Sequence, residues 1–147
     1  MTKLLLGACA LVLLAAGPAA AETVEVKMLN KGANGEMMVF EPAVVQIAPG
    51  DTVRFLATNP GHNAESVPGM LPDGAKGFRT TFNQTAEVTF ETEGVYGYKC
   101  LPHYAMGMVG LVRVGAGDAN LDALAEKADG APGRAAQRFQ AHISGLK

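Results

Sequence analysis

The sequence predicts an all-β fold, a sandwich of short strands, with two short α-helices at its C-terminal end. Three observations predict it. Short runs of alternating apolar and polar residues recur between Thr23 and Val114, and Gly/Pro turns separate them. Strands of that length with such turns favour two packed sheets. Beyond Gly117 the apolar period lengthens to that of a helix. Residues 22–147 also have the length of one domain, enough to bury a single core without staples.

The elements follow in order. Thr23 to Leu29 alternates, with Val24, Val26 and Met28 on one face. Gly32 and Gly35 mark a loop before Met37 and Met38. Pro42 belongs at an edge or bulge, because it cannot donate to a ladder. Val44 to Ile47 is a β-branched strand, and Pro49, Gly50 and Asp51 turn the chain. Thr52 to Ala57 alternates with Val53 and Phe55 inward, and Ala86 to Glu91 with Val88 and Phe90 inward. Between them, residues 59–84 are rich in Gly and Pro and read as loops with little regular structure. Glu93 and Gly94 turn into a strand from Val95 to Lys99. The last strand, Val109 to Val114, is apolar enough to be buried on both sides. The sandwich therefore spans 22–116 and the helices 118–146. The first helix has capping residues at Asp118 and Asn120 and an apolar face of Leu121, Leu124, Ala125 and Ala128; Gly130 stops it. Pro132 suits the first turn of the second, whose stripe is Phe139, Ile143 and Leu146. Helices this short need the sandwich to dock on.

Residues 1–21 read as a secretory signal peptide. Lys3 precedes an unbroken apolar run from Leu4 to Ala16, Gly17 and Pro18 break it, and Ala19 to Ala21 suit cleavage before Glu22. The run is 13 residues, short of the ~20 that span a bilayer. Cys9 loosely suits a lipid-attachment box but comes too early, with most of the apolar run after it. The expectation is export, with no membrane span. The chain carries 12 Lys and Arg against 14 Asp and Glu, which gives nucleic-acid binding no support.

Of two cysteines, one leaves with the leader. Cys100 is then a lone thiol in an oxidising compartment, a liability unless something occupies it. His103 and Met108 follow it with the spacing C-x2-H-x4-M. His62, between Gly61 and Asn63, offers a second imidazole from upstream. A thiolate, two imidazoles and a weak thioether form the ligand set of a blue-copper electron-transfer site, whose geometry changes little between Cu(I) and Cu(II). Met106 is a competing thioether; Met108 is preferred because it opens directly into the last strand. Asn63 is placed to hydrogen-bond across to the Cys100 loop, and backbone N–H groups near it to donate to the sulfur. Pro102 stiffens that loop, or is an ordinary turn proline. His142 reads as a surface or packing residue of the second helix.

From Tyr98 to Gly110 the chain resembles the cupredoxins, and within them the pseudoazurin branch. Further matches are Met28 to Ala33, Phe40 to Pro42, Pro49 to Val53 and Gly61 to Asn63. The two C-terminal helices favour that branch over plastocyanin, which shares the ligand spacing. The resemblance implies an eight-stranded Greek-key sandwich and one type 1 copper ion held by His62, Cys100, His103 and Met108, both histidines through Nδ1. It implies a periplasmic carrier with a nitrite reductase-like acceptor and a cytochrome-type donor in denitrification. It also implies an apolar docking patch of Met38, Pro60, Pro102 and Met106, rimmed by Lys31, Lys76, Arg79 and Lys99. Pro60 stands where relatives often have lysine, which thins the rim. A carrier that must dock and leave is expected to be a monomer. Copper storage or delivery is the alternative, with slight support from Met37, Met38, Met106 and Met108. Enzymatic use of Cys100 and His103 as nucleophile and base lacks any companion motif.

Overall fold

The computed structural model describes residues 20–147, so the expected leader lies outside it except for Ala20 and Ala21. Eight strands form two four-stranded sheets. The strands are β1 (Thr23–Lys31), β2 (Met37–Glu41), β3 (Val44–Ile47), β4 (Thr52–Leu56), β5 (Glu65–Ser66), β6 (Ala86–Thr89), β7 (Gly94–Lys99) and β8 (Val109–Val114). Their order is β2-β1-β4-β6 in one sheet and β3-β8-β7-β5 in the other. Pairs β1/β4 and β3/β8 are parallel and the remaining pairs antiparallel, as the crossings of a Greek-key sandwich require.

Alternation produces the core. Val26, Met28, Val53 and Phe55 from one sheet meet Tyr96, Tyr98, Val112 and Val114 from the other, and Cys100 and Met108 belong to the same cluster. The opposite face of β8 is also covered. Val109 and Leu111 pack with Leu121, Leu124, Phe139 and Ile143 of helices α1 (Leu121–Asp129) and α2 (Arg134–Ser144). That double burial accounts for the continuous apolar run. Fully burying a side chain such as Phe139 contributes roughly 1.5–3 kcal/mol, and helices this short depend on such packing to hold their shape.

Several elements depart from the sequence reading. β2 had no alternation to reveal it: Met38 takes a left-handed φ of 53°, and Val39 and Phe40 are both buried. β5 interrupts the stretch expected to be loop. Pro42 lies outside both ladders, at the crossover from β2 to β3. α1 starts at Leu121, with no side-chain cap. The amide of Asn120 is engaged elsewhere, accepting Val95 N–H at 2.9 Å and donating to Val95 O at 2.7 Å, while Asp118 pairs with Arg113. α2 starts after Pro132, because Gly133 takes a left-handed φ of 56° where a Cβ would strike the Ala105 carbonyl.

Asp51 closes the turn before β4. Its carboxylate accepts the N–H groups of Glu22 and Ala48, each at 2.8 Å. Those bonds, Glu22 first, hold its pKa below the ordinary carboxylate value. The unfolded chain binds that proton more readily. The stabilisation is therefore complete above the ordinary Asp range and disappears as pH falls through the folded value. Asp51→Asn is expected to lower the thermal midpoint near neutrality and to converge with the unsubstituted protein in acid. Melts taken between about pH 7 and about pH 2 check this; a gap that does not close in acid would assign the effect to shape rather than charge.

Candidate metal centre

β7 delivers Cys100 at its end, and β8 resumes at Val109, so the intervening loop is anchored on both sides. Inside the loop, Cys100 N–H donates to Met108 O at 2.9 Å and Met108 N–H to His103 O at 3.1 Å. Pro102 is exposed, and Met106 is 45% exposed, whereas the Met108 side chain is fully buried in the cluster that contains Cys100. His62 comes from the separate loop after β4 and is also fully buried. Of the four candidate ligands, only His103 is partly open to solvent.

Three donor atoms converge. His62 Nδ1 and His103 Nδ1 are 3.2 Å apart, and Cys100 Sγ stands 3.6 Å from the first and 3.5 Å from the second. A point equidistant from the corners of that triangle lies about 2.0 Å from each, within the span of ordinary metal–nitrogen and metal–sulfur bonds, about 2.0–2.3 Å. Among the described residues this is the one group of three or more His, Cys, Asp and Glu side chains so arranged. The donor set fits a soft ion.

Neighbouring groups prepare the donors. His62 Nε2 lies 2.8 Å from Asn30 Oδ1, an atom that can only accept. The ring proton is therefore on Nε2 and the lone pair on Nδ1 points at the site. Burial first, then the charge of His103, lowers the His62 pKa and so favours the neutral ring. Burial raises the Cys100 thiol pKa, and the Glu65 charge adds to this; the backbone N–H groups of Asn63 and His103 oppose it. A metal held here would take Cys100 as the thiolate, in place of the thiol proton.

Asn63 bridges the two ligand-bearing segments. Its Oδ1 accepts Leu101 N–H at 2.8 Å, and its Nδ2 donates to buried Glu65 at 3.1 Å. Glu65 also takes Arg79 Nε at 2.7 Å and lies 3.6 Å from Lys99 Nζ. Its own pKa falls below the ordinary value because these partners outweigh a burial contribution of opposite sign. Sequence reasoning missed Asn30 and Glu65. Asn30 lay inside a matched segment but had no local sign of its task, and Glu65 reads as a surface charge. Asn63→Ala is expected to weaken metal binding by about 10–100-fold, read by competition against a chelator; unchanged affinity would reduce the bridge to a fold contact.

The groups of the expected docking surface are placed unevenly. Pro60, Lys31 and Lys76 are exposed and Met38 is half-buried. Lys99 is 15% exposed in its side chain and lies 4.6 Å above the Tyr104 ring. Arg79, though bound to Glu65, keeps 68% of its side chain exposed.

The profile of the copper-binding plastocyanin/azurin family matches residues 26–115. A pseudoazurin of Paracoccus pantotrophus is 44% identical over 140 residues, 95% of this chain and 94% of its own. One from Methylorubrum extorquens is 58% identical over 106 residues, 72% of this chain and 71% of its own. The solved pseudoazurin structure from Methylobacterium extorquens superposes with a TM-score of 0.80 at 47% identity, covering 85% of this chain and 99% of that one. With two imidazoles and a thiolate already converging at metal-bonding radius, these likenesses place the chain in the plastocyanin/azurin family of copper-binding proteins and, within it, among the pseudoazurins: an electron-transfer protein with one type 1 copper ion, and not an enzyme.

Proposed function

We propose that His62, Cys100, His103 and Met108 hold the copper, and that the protein is a periplasmic carrier passing single electrons from a cytochrome-type donor to a nitrite reductase-like acceptor. The triangle of donor atoms carries the ligand reading. Bound there, copper supplies a one-electron Cu(II)/Cu(I) couple. The chain's part is to keep the donors still. Asn30 fixes the His62 ring, Asn63 ties the two loops, and the Met108 peptide is hydrogen-bonded on both sides. Few nuclei then move with the electron.

His103 is the exit. It is the one ligand open to solvent, and exposed Leu101, Pro102 and Met106 share its loop. An apolar surface of this kind suits a small, brief encounter. Lys31, Lys76 and Arg79 supply the rim charge more than Lys99 does, because they are exposed while Lys99 is mostly covered against Glu65 and Tyr104. The resemblance supports export and a domain of 22–147. Cleavage before Glu22 would turn its amide into an ammonium that still faces Asp51. Deep burial of His62, Cys100 and Met108 argues against storage, which needs exchange.

The test is direct. Copper(II) added to purified copper-free protein is expected to turn it intensely blue through thiolate-to-copper charge transfer, and ascorbate to bleach it reversibly. Electron transfer to an acidic acceptor should slow as salt rises. A colourless complex that yields its metal to a mild chelator would favour storage instead.

A further inference from the structure

The second C-terminal helix lies outside the stretch matched by the family profile, yet it reaches the ligand loop directly. Arg134 N–H, at its start, donates to Ala105 O at 2.9 Å. One turn on, Arg138 is 11% exposed in its side chain and spreads a fork over three carbonyls. Its Nη1 donates to Gly107 O at 2.9 Å and to Met38 O at 3.0 Å, and its Nη2 to Met37 O at 3.3 Å. Glu36 lies 3.9 Å from Nη2. Met38 and Gly107 both hold left-handed backbones, with φ of 53° and 90°. A Cβ on Gly107 would stand 2.8 Å from Arg138 Cδ, so the glycine and the arginine stem fit only together.

The consequence falls on Met108. The peptide between Gly107 and Met108 is pinned at both ends. Its carbonyl is held by Arg138, and its N–H is held by His103 O at 3.1 Å. The plane of that peptide fixes the direction in which the Met108 side chain leaves the backbone. We infer that Arg138 is a positioning residue for the copper centre, setting through the Gly107 carbonyl where the Met108 thioether stands; this rests on the ligand reading above. Helix α2 then belongs to the frame of the site as well as to the fold.

A weak thioether donor would tune a copper bound here strongly, so the effect would be visible in the colour itself. Arg138→Lys keeps the positive charge and the stem but loses the planar fork. The Gly107 carbonyl is freed and the thioether relaxes outward. It then donates less to the oxidised ion. Copper-loaded Arg138→Lys is expected to remain blue, with a lower ratio of the higher-energy to the lower-energy thiolate charge-transfer band and a raised reduction potential. Ile143→Ala loosens the same helix from the sheet without touching the loop. It is expected to melt earlier while keeping the band ratio and potential of the unsubstituted protein. An unchanged ratio and potential in Arg138→Lys would overturn the inference. So would an equal shift in Ile143→Ala, which would assign the effect to helix docking at large. A colourless unsubstituted protein would overturn the ligand reading instead.

Discussion

Cys100→Ser is expected to leave a folded sandwich with no blue colour. The colour is a transition from thiolate sulfur to copper, and a serine oxygen supplies neither the soft orbital nor an anion at neutral pH. Copper affinity falls with it, because two imidazoles remain where three strong donors stood. The fold survives for a separate reason. Cys100 is fully buried, and the Asn63 and His103 backbone N–H groups that face its sulfur can face a hydroxyl of similar size. Burying that hydroxyl with imperfect partners costs about 1–3 kcal/mol, against a typical stability of about 5–15 kcal/mol. Circular dichroism should therefore match the unsubstituted protein while the visible spectrum is flat. A retained blue band would remove Cys100 from the ligand set.

The local part of this centre is legible because it is local. Cys100, His103 and Met108 stand within one loop, and a strand on each side declares itself by apolar period. His62 is 38 positions away, and nothing in the spacing alone says that the fold returns it to within 3.6 Å of the sulfur. Asn30 is harder still, since its task depends on meeting the far side of the His62 ring. Arg138 reads as an ordinary charge on the polar side of an amphipathic helix. Its meaning lies in three carbonyls about thirty and a hundred residues away in sequence. β2 escapes for the opposite reason: its left-handed Met38 breaks the two-residue period by which strands are recognised. Period and spacing report what neighbours in sequence do. Second contacts around a ligand are made by residues that are strangers in sequence.

Gly110→Ala should bring the largest loss of stability, from one added methyl group. Gly110 sits in β8 directly opposite Tyr98 of β7. A Cβ there would overlap the far end of the Tyr98 ring, and it would stand 2.5 Å from the backbone oxygen of Ala43. Neither neighbour can give. The Ala43 carbonyl is held by Leu111 N–H at 2.9 Å, and the Tyr98 ring is wedged against Phe40 and Phe55 with centroids 4.7 and 5.3 Å away. Overpacking usually costs about 1–3 kcal/mol, and contact with fixed backbone puts this case at or above the upper end. The copper-free protein is expected to melt about 10 °C lower or more. Because Tyr98 is two positions from Cys100, the same displacement should also disturb the blue band. The Tyr98 hydroxyl is buried with no partner among the described residues, and burial pushes its pKa well above the ordinary phenol value. Tyr98→Phe should therefore be neutral or stabilising alone, and combined with Gly110→Ala it should recover part of the lost midpoint by vacating the space the new methyl needs. Calorimetry of the two single variants and the pair settles the account: a Gly110→Ala midpoint within about 2 °C of the unsubstituted protein would mean that the sheet yields where it is packed most tightly.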